Sequence, residues 1–207
     1  MSSVCAVFCG GDPVSMETVR LDLKRDDLRI AADSGYKLMK ELGISPHIII
    51  GDFDSAERPT QGNIISFPVE KDDTDLMLAV REGLDRGASH FLIYGATGGR
   101  LDHTIAAVQT LAFLKDHKAS GVIISDTERI ELLYPGSHKI KPMKGYSLSL
   151  LAYSNSVTEL TITDAKYTCH GINIDNAFPL GVSNEFVGSD ASVSFASGIL
   201  LCIRSKM

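Results

Sequence analysis

Through the first two thirds of the chain, short apolar runs alternate with segments of helical spacing, and then the helical spacing stops. The apolar runs fall at residues 4–9, 28–32, 47–50, 63–67, 90–94 and 121–125. Between them, 36–42 has helical spacing ended by Gly43, with Pro46 beyond. Leu76, Met77, Val80 and Leu84 form a second stripe, stopped by Gly87, and Ile105, Val108, Leu111, Ala112 and Leu114 form a third. Runs that are apolar throughout belong to strands covered on both faces, and intervening helices supply the cover. Beyond the turn signal Tyr134-Pro135-Gly136, short alternating segments take over at 147–152, 157–163, 191–195 and 199–203. The expected fold class is therefore α/β: a parallel-sheet domain over residues 1–134, then a small all-β domain over 135–207.

Composition narrows the function classes. A chain of 207 residues with 44% hydrophobic and 22% charged residues is ordinary globular material, which excludes disorder and coiled coil. Its 20 basic and 26 acidic side chains give a formal charge of -6, which argues against nucleic-acid or membrane partners. No stretch approaches a membrane span, and residues 1–8 lack the basic flank of a secretory signal. Cys5, Cys9, Cys169 and Cys202 have no CxxC spacing, so reduced thiols in a cytoplasmic protein are expected.

In a parallel sheet, ligands bind beyond the carboxyl ends of the strands, so the residues just past each apolar run are informative. The first run leads into Gly10-Gly11-Asp12, the second into Asp33-Ser34-Gly35, and the third into Gly51-Asp52-Phe53-Asp54-Ser55. After the fourth comes Lys71-Asp72-Asp73-Thr74-Asp75, and after the fifth Gly95-Ala96-Thr97-Gly98-Gly99-Arg100-Leu101-Asp102-His103. In extended chain, Asp52 and Asp54 leave the same face roughly 6.5–7 Å apart. Carboxylates so placed gain from a shared cation, and a polar loop or Asx turn is the competing reading. One residue of 72–75 serves as a helix N-cap, but three anions there exceed what a cap requires. Glycines at 95–99 allow backbone N–H groups to approach phosphate oxygens, and Arg100 can grip them bidentately. Asp102 by its spacing is as well explained as an N-cap. His47, His90, His103, His117, His138 and His170 show no metal-ligand spacing, and only His103 falls in a candidate loop.

Taken together and in this order, the motifs at 51–55, 71–75 and 95–103 resemble those of the thiamine pyrophosphokinase family, G-D-x-D-S, K-D-x-T-D and G-x-T-G-G-R-x-D-H. Lys166-Tyr167, Ser183-Asn184-Glu185 and Gly198-Ile199-Leu200 resemble the family's K-Y, S-N-E and G-I-L positions, so the resemblance spans the chain. Ser34 departs from the family's A-D-G-G, and the segment 168–182 departs from its usual stretch. The resemblance implies an ATP-binding catalytic domain followed by a thiamine-binding β-sandwich, in a homodimer with active sites at the subunit interface. It implies transfer of a diphosphate from ATP to the thiamine hydroxyl, giving thiamine diphosphate and AMP, with Mg²⁺. Asp52, Asp54 and Asp75 would hold the metal. Asp33, Ser55, Asp72, Thr74, Gly98, Gly99, Arg100 and Asp102 would border nucleotide and phosphates, and Ser183 and Asn184 would contact thiamine. Asp75 or Asp102 would accept the hydroxyl proton.

Two other functions fit the same residues: a metal-dependent phosphohydrolase, and a non-catalytic nucleotide or thiamine sensor. Seven of the 26 acids (Asp33, Asp52, Asp54, Asp72, Asp73, Asp75, Asp102) fall on the one expected sheet edge. The acidity is then partly a site, and ATP binding there requires a divalent cation.

Overall fold

The computed structural model describes residues 3–51, 63–66 and 73–207, which form two compact units, one up to Asp126 and one from Thr127 onward. The first unit runs β1 (Val4–Phe8), α1 (Met16–Asp22), β2 (Leu28–Ala32), α2 (Gly35–Glu41), β3 (Ile48–Gly51), β4 (Asn63–Ser66), α3 (Asp75–Asp85), β5 (His90–Tyr94), α4 (Leu101–Asp116) and β6 (Ser120–Ile124). Its strands lie in the order β6-β5-β1-β2-β3-β4 and every pairing is parallel. Ile48, Ile49 and Ile50 are all buried, as are Cys5 through Phe8, because helices cover both faces of the sheet. One face carries Ala6, Phe8, Ala31, Ile49, Leu92 and Tyr94 with Val19 of α1 and Leu38 and Met39 of α2. Alternation turns Cys5 and Phe91 to the other face. There α3 approaches so closely that a Cβ on Gly83 would lie 2.6 Å from the Phe91 ring.

The apolar runs and the strands agree within a residue at most ends, and 28–32 and 90–94 coincide with β2 and β5. Helix α1 has no counterpart in the apolar spacing. It buries only Val19 and is held by its cap instead: Ser15 Oγ accepts from Thr18 N–H at 3.2 Å, and Ser15 N–H donates to Asp126 Oδ1 at 2.9 Å.

The second unit contains β7 (Glu128–Leu133), β8 (Gly136–Ile140), β9 (Tyr146–Ala152), β10 (Ser156–Thr163), β11 (Cys169–Asp175), β12 (Asn184–Glu185), β13 (Ala191–Phe195) and β14 (Leu200–Lys206). They form two antiparallel arrays, β12-β9-β14-β7 and β11-β10-β13-β8. Leu148, Leu150, Leu200 and Cys202 from one array and Val157, Leu160, Ala191 and Val193 from the other share one core. The units divide ahead of β7 and not at the turn near Pro135, because β7 pairs along its length with β14. Among the described residues, no helix is long and apolar enough to cross a membrane.

Candidate functional site

Strand order decides where a ligand can lie. β1 is flanked by β2 on one side and β5 on the other, with Phe8 in register with Tyr94. The chain leaves β1 toward α1 on one face, whereas it leaves β5 toward α4 on the opposite face, where Leu111 and Leu114 pack on Gly121 of β6. The two departing loops open a crevice between them, the topological switch point of the sheet.

A cleft of about 440 Å³ occupies this crevice. Cys9, Gly10 and Gly11 line it from the end of β1, Asp33 and Ser34 from the end of β2, and Thr74, Asp75 and Leu76 from the start of α3. Gly95, Ala96, Gly98, Gly99 and Arg100 line it from the loop after β5, and His103, Ala106 and Ala107 from the first turns of α4. The two glycine loops are bonded together: Gly11 N–H donates to Gly95 O at 2.7 Å and Asp12 N–H to Thr97 O at 2.8 Å. That approach admits no side chain on Gly11, whose Cβ would lie 2.5 Å from Thr97 O.

Gly98 and Gly99 have φ of +77° and +61°, successive left-handed residues that favour glycine and leave this stretch of the cleft wall as bare backbone. Arg100 comes next at the N-cap of α4, where the helix dipole also favours negative charge. Its guanidinium holds Asp102 bidentately, Nη2 to Oδ2 at 2.5 Å and Nε to Oδ1 at 3.1 Å. The hydrogen bond from Arg100 holds the Asp102 carboxyl below the usual carboxylate range, helped by His103 N–H donating to Oδ1 at 3.0 Å. Asp102 itself does not line the cleft; its side chain is 62% exposed and turned onto Arg100.

Asp33 adopts φ +46°, a left-handed conformation that Asp tolerates better than most residues, and its buried Oδ1 has no hydrogen-bond partner among the described residues. Thr74 caps α3, its Oγ1 accepting from Met77 N–H at 3.2 Å, and this presents Asp75 in the first turn. Burial, and then the Asp75 carboxylate, push the Cys9 thiol up to about 12, so it is a neutral wall of the cleft. Among the described residues no three His, Cys, Asp or Glu side chains form a ready-made metal centre. Asp75, at the start of α3, puts a carboxylate on the cleft, the hard oxygen donor that Mg²⁺ takes.

Of the expected residues, Asp33, Thr74, Asp75, Gly98, Gly99 and Arg100 meet on this cleft. Asp52, Asp54, Ser55 and Asp72 lie outside the described residues. Cys9, Leu76, Ala106 and Ala107 join the cleft without having been expected there, whereas Gly10, Gly11, Ser34, Gly95, Ala96 and His103 come from strand-end segments that the sequence had singled out. The spacing of His103, Ala106 and Ala107, at i, i+3 and i+4, would have placed them on one face of α4.

Ser183 and Asn184 belong to the second unit. Ser183 is exposed at φ +58° and donates its N–H to Ser149 Oγ at 3.0 Å. Asn184 is buried: Oδ1 accepts from Tyr167 N–H at 2.9 Å and Glu185 N–H at 2.8 Å, and Nδ2 donates to Tyr167 O at 2.8 Å. Its amide fixes the backbone of Tyr167, a residue that is itself 61% exposed. Lys166 Nζ donates to Glu185 Oε1 at 2.6 Å, so 166–167 and 183–185 form one cluster.

A family model described as the catalytic domain of thiamin pyrophosphokinase matches residues 19–123, and one described as its vitamin B1 binding domain matches 137–200. The chain is 33% identical over 186 residues to a thiamine pyrophosphokinase of Bacillus subtilis, covering 86% of this chain and 87% of that protein. A crystal structure of thiamine pyrophosphokinase from Bacillus subtilis matches with TM-score 0.89 and 28% identity, over 98% of this chain and 99% of that one. One from Geobacillus thermodenitrificans matches with TM-score 0.85 and 28% identity, over 99% and 98%. A thiamin pyrophosphokinase from Candida albicans shares the fold, with TM-score 0.81 at 18% identity, over 98% and 89%.

Proposed function

The chain belongs to the thiamine pyrophosphokinase family, and from that premise we propose how its residues transfer a diphosphate from ATP to the hydroxyl of thiamine, giving thiamine diphosphate and AMP. The observation that carries the site assignment is the switch-point cleft, which Gly98, Gly99 and Arg100 line together with Asp33 and Asp75. The first unit is the ATP-binding catalytic unit and the second the thiamine-binding unit, in keeping with the two family models.

In this reading Asp75 would hold Mg²⁺, with Asp52 and Asp54 as the further ligands expected from the sequence. Mg²⁺ held there would supply the charge neutralisation that phosphates need in an acidic cleft. Gly98 and Gly99 receive phosphate oxygens on backbone N–H groups, and Arg100 swings part of its guanidinium from Asp102 to the phosphates. Asp33 accepts a hydrogen bond from the nucleotide, and Ser55, Asp72 and Thr74 border it. Phosphoryl-type transfers depend on positioning and charge neutralisation, which is what this set provides. Asp75 or Asp102 takes the proton of the thiamine hydroxyl, Asp102 once Arg100 has turned from it toward the phosphates. Ser183 contacts thiamine directly, and Asn184 acts by fixing Tyr167. We place the enzyme in the cytoplasm as a homodimer, with active sites completed at the subunit interface.

Family membership favours transfer over hydrolysis or sensing. Mass spectrometry of products from ATP, Mg²⁺ and thiamine tests the reading: thiamine diphosphate with AMP is expected. Thiamine monophosphate with ADP, or free phosphate without thiamine, would overturn it.

A further inference from the structure

The segment that brings Thr74 and Asp75 into the cleft is braced from behind by residues outside the motifs. Asp73 does not line the cleft; its Oδ2 accepts from Arg81 Nε at 2.9 Å. Arg81 lies two turns along α3, and long helical side chains point back toward the N-terminus, which lets it reach a residue ahead of the cap. Its guanidinium also lies over the Phe113 ring of α4, 4.9 Å from the centroid, and Phe113 packs on His117 with centroids 4.1 Å apart. A single side chain thus ties the residue next to the α3 cap to α4. The same α4 carries His103, Ala106 and Ala107 on the facing wall of the cleft.

We propose that Arg81 is a positioning residue which, through Asp73 and Phe113, sets the separation of the α3 and α4 walls and thereby tunes binding of the Mg²⁺–nucleotide complex it never touches. As an ion pair with side chains 49% and 34% exposed, Arg81–Asp73 adds little to global stability. Its geometric effect is larger, because it fixes where the helix start carrying Asp75 stands against α4 and neutralises an acid two residues from Asp75. The planar guanidinium serves both contacts at once, its edge on the carboxylate and its face on the ring.

The inference rests on the cleft being the Mg²⁺–ATP site, and the test separates the two. Binding of a non-hydrolysable ATP analogue with Mg²⁺ is measured calorimetrically for Arg81→Gln, Asp73→Asn, their double variant and Phe113→Leu. Arg81→Gln and Phe113→Leu are each expected to weaken binding about fivefold, the upper range for such contacts. Saturated kcat should stay within about twofold of wild type, as expected of uniform binding loss. The double variant should bind no worse than Arg81→Gln, because the two residues act through one path. Unchanged binding in Arg81→Gln, or losses that add in the double variant, would overturn the proposal. If Asp75→Asn abolishes binding while Arg81→Gln does not alter it, the role of Arg81 alone fails; if Asp75→Asn also binds normally, the reading of the cleft fails.

Discussion

Gly98 and Gly99 are adjacent, both left-handed and both on the cleft, yet their surroundings differ in a way that separates two costs. A Cβ on Gly99 would meet nothing within 4 Å, whereas one on Gly98 would overlap the Asp12 carboxylate. Gly99→Ala therefore carries only the left-handed penalty of an L-residue, about 1–2 kcal/mol. If the loop keeps its conformation in the free protein, that energy is lost from stability, about 2–4 °C of Tm per kcal/mol for a chain of this size. If the loop relaxes instead, the same energy is lost from ATP affinity, about 5- to 30-fold. The two readouts trade off, and their sum is fixed. Gly98→Ala carries this cost plus displacement of Asp12, so its combined loss must exceed that of Gly99→Ala. Adding Asp12→Ala to Gly98→Ala removes the overlapping carboxylate but leaves the backbone bond from Asp12 N–H to Thr97 O, so part of the excess should return. Calorimetric titration with an ATP analogue and Mg²⁺, paired with thermal unfolding, measures both terms. Equal combined losses for the two alanine variants, or no recovery with Asp12→Ala, would refute the reasoning.

Asp75→Asn should reduce turnover about 100-fold or more while leaving the circular dichroism spectrum unchanged; near-normal turnover at saturating Mg²⁺ would remove Asp75 from the metal assignment. Asn184→Ala leaves the Tyr167 backbone without its amide partners and should cost about 1–3 kcal/mol in urea unfolding, with thiamine KM rising more than ATP KM. An unchanged unfolding midpoint would show that the clamp contributes nothing. Burial pushes the thiols of Cys5 and Cys202 up to about 12 from an ordinary 9.0. A native pKa above the unfolded one stabilises fully below pH 9 and is lost between 9 and 12, as the unfolded chain ionises first. The Tm should therefore fall across that window, and less steeply in Cys5→Ala/Cys202→Ala; identical slopes would exclude these thiols as the cause.

The sheet of the first unit was legible because its strands are buried on both faces, and uninterrupted runs such as Ile48-Ile49-Ile50 have few other uses. What escaped was held by something other than apolar burial. Helix α1 depends on Ser15 and the distant Asp126, a pairing no local pattern displays. In the second unit, β8 reads Gly-Ser-His-Lys-Ile with only Ile140 buried, and β11 runs through Gly171 at φ +62° with only Ile174 buried; cross-strand pairing with β13 and β10 forms them. At the site, the segments after successive strands include Asp33, Thr74, Asp75, Gly98, Gly99 and Arg100, which line one cleft because the strand ends share one edge. The sequence could not show that Asp102 turns onto Arg100, nor that Asp73 turns away to Arg81. Both carboxylates have a cation within reach, and only side-chain geometry reveals which partner each takes.

The most direct test is where the nucleotide lies. A crystal structure of the protein with Mg²⁺ and a non-hydrolysable ATP analogue is expected to show phosphate oxygens on the Gly98 and Gly99 N–H groups and on Arg100, with the cation beside Asp75. Nucleotide bound away from the β1–β5 switch point, or phosphates turned away from Gly98–Arg100, would contradict it.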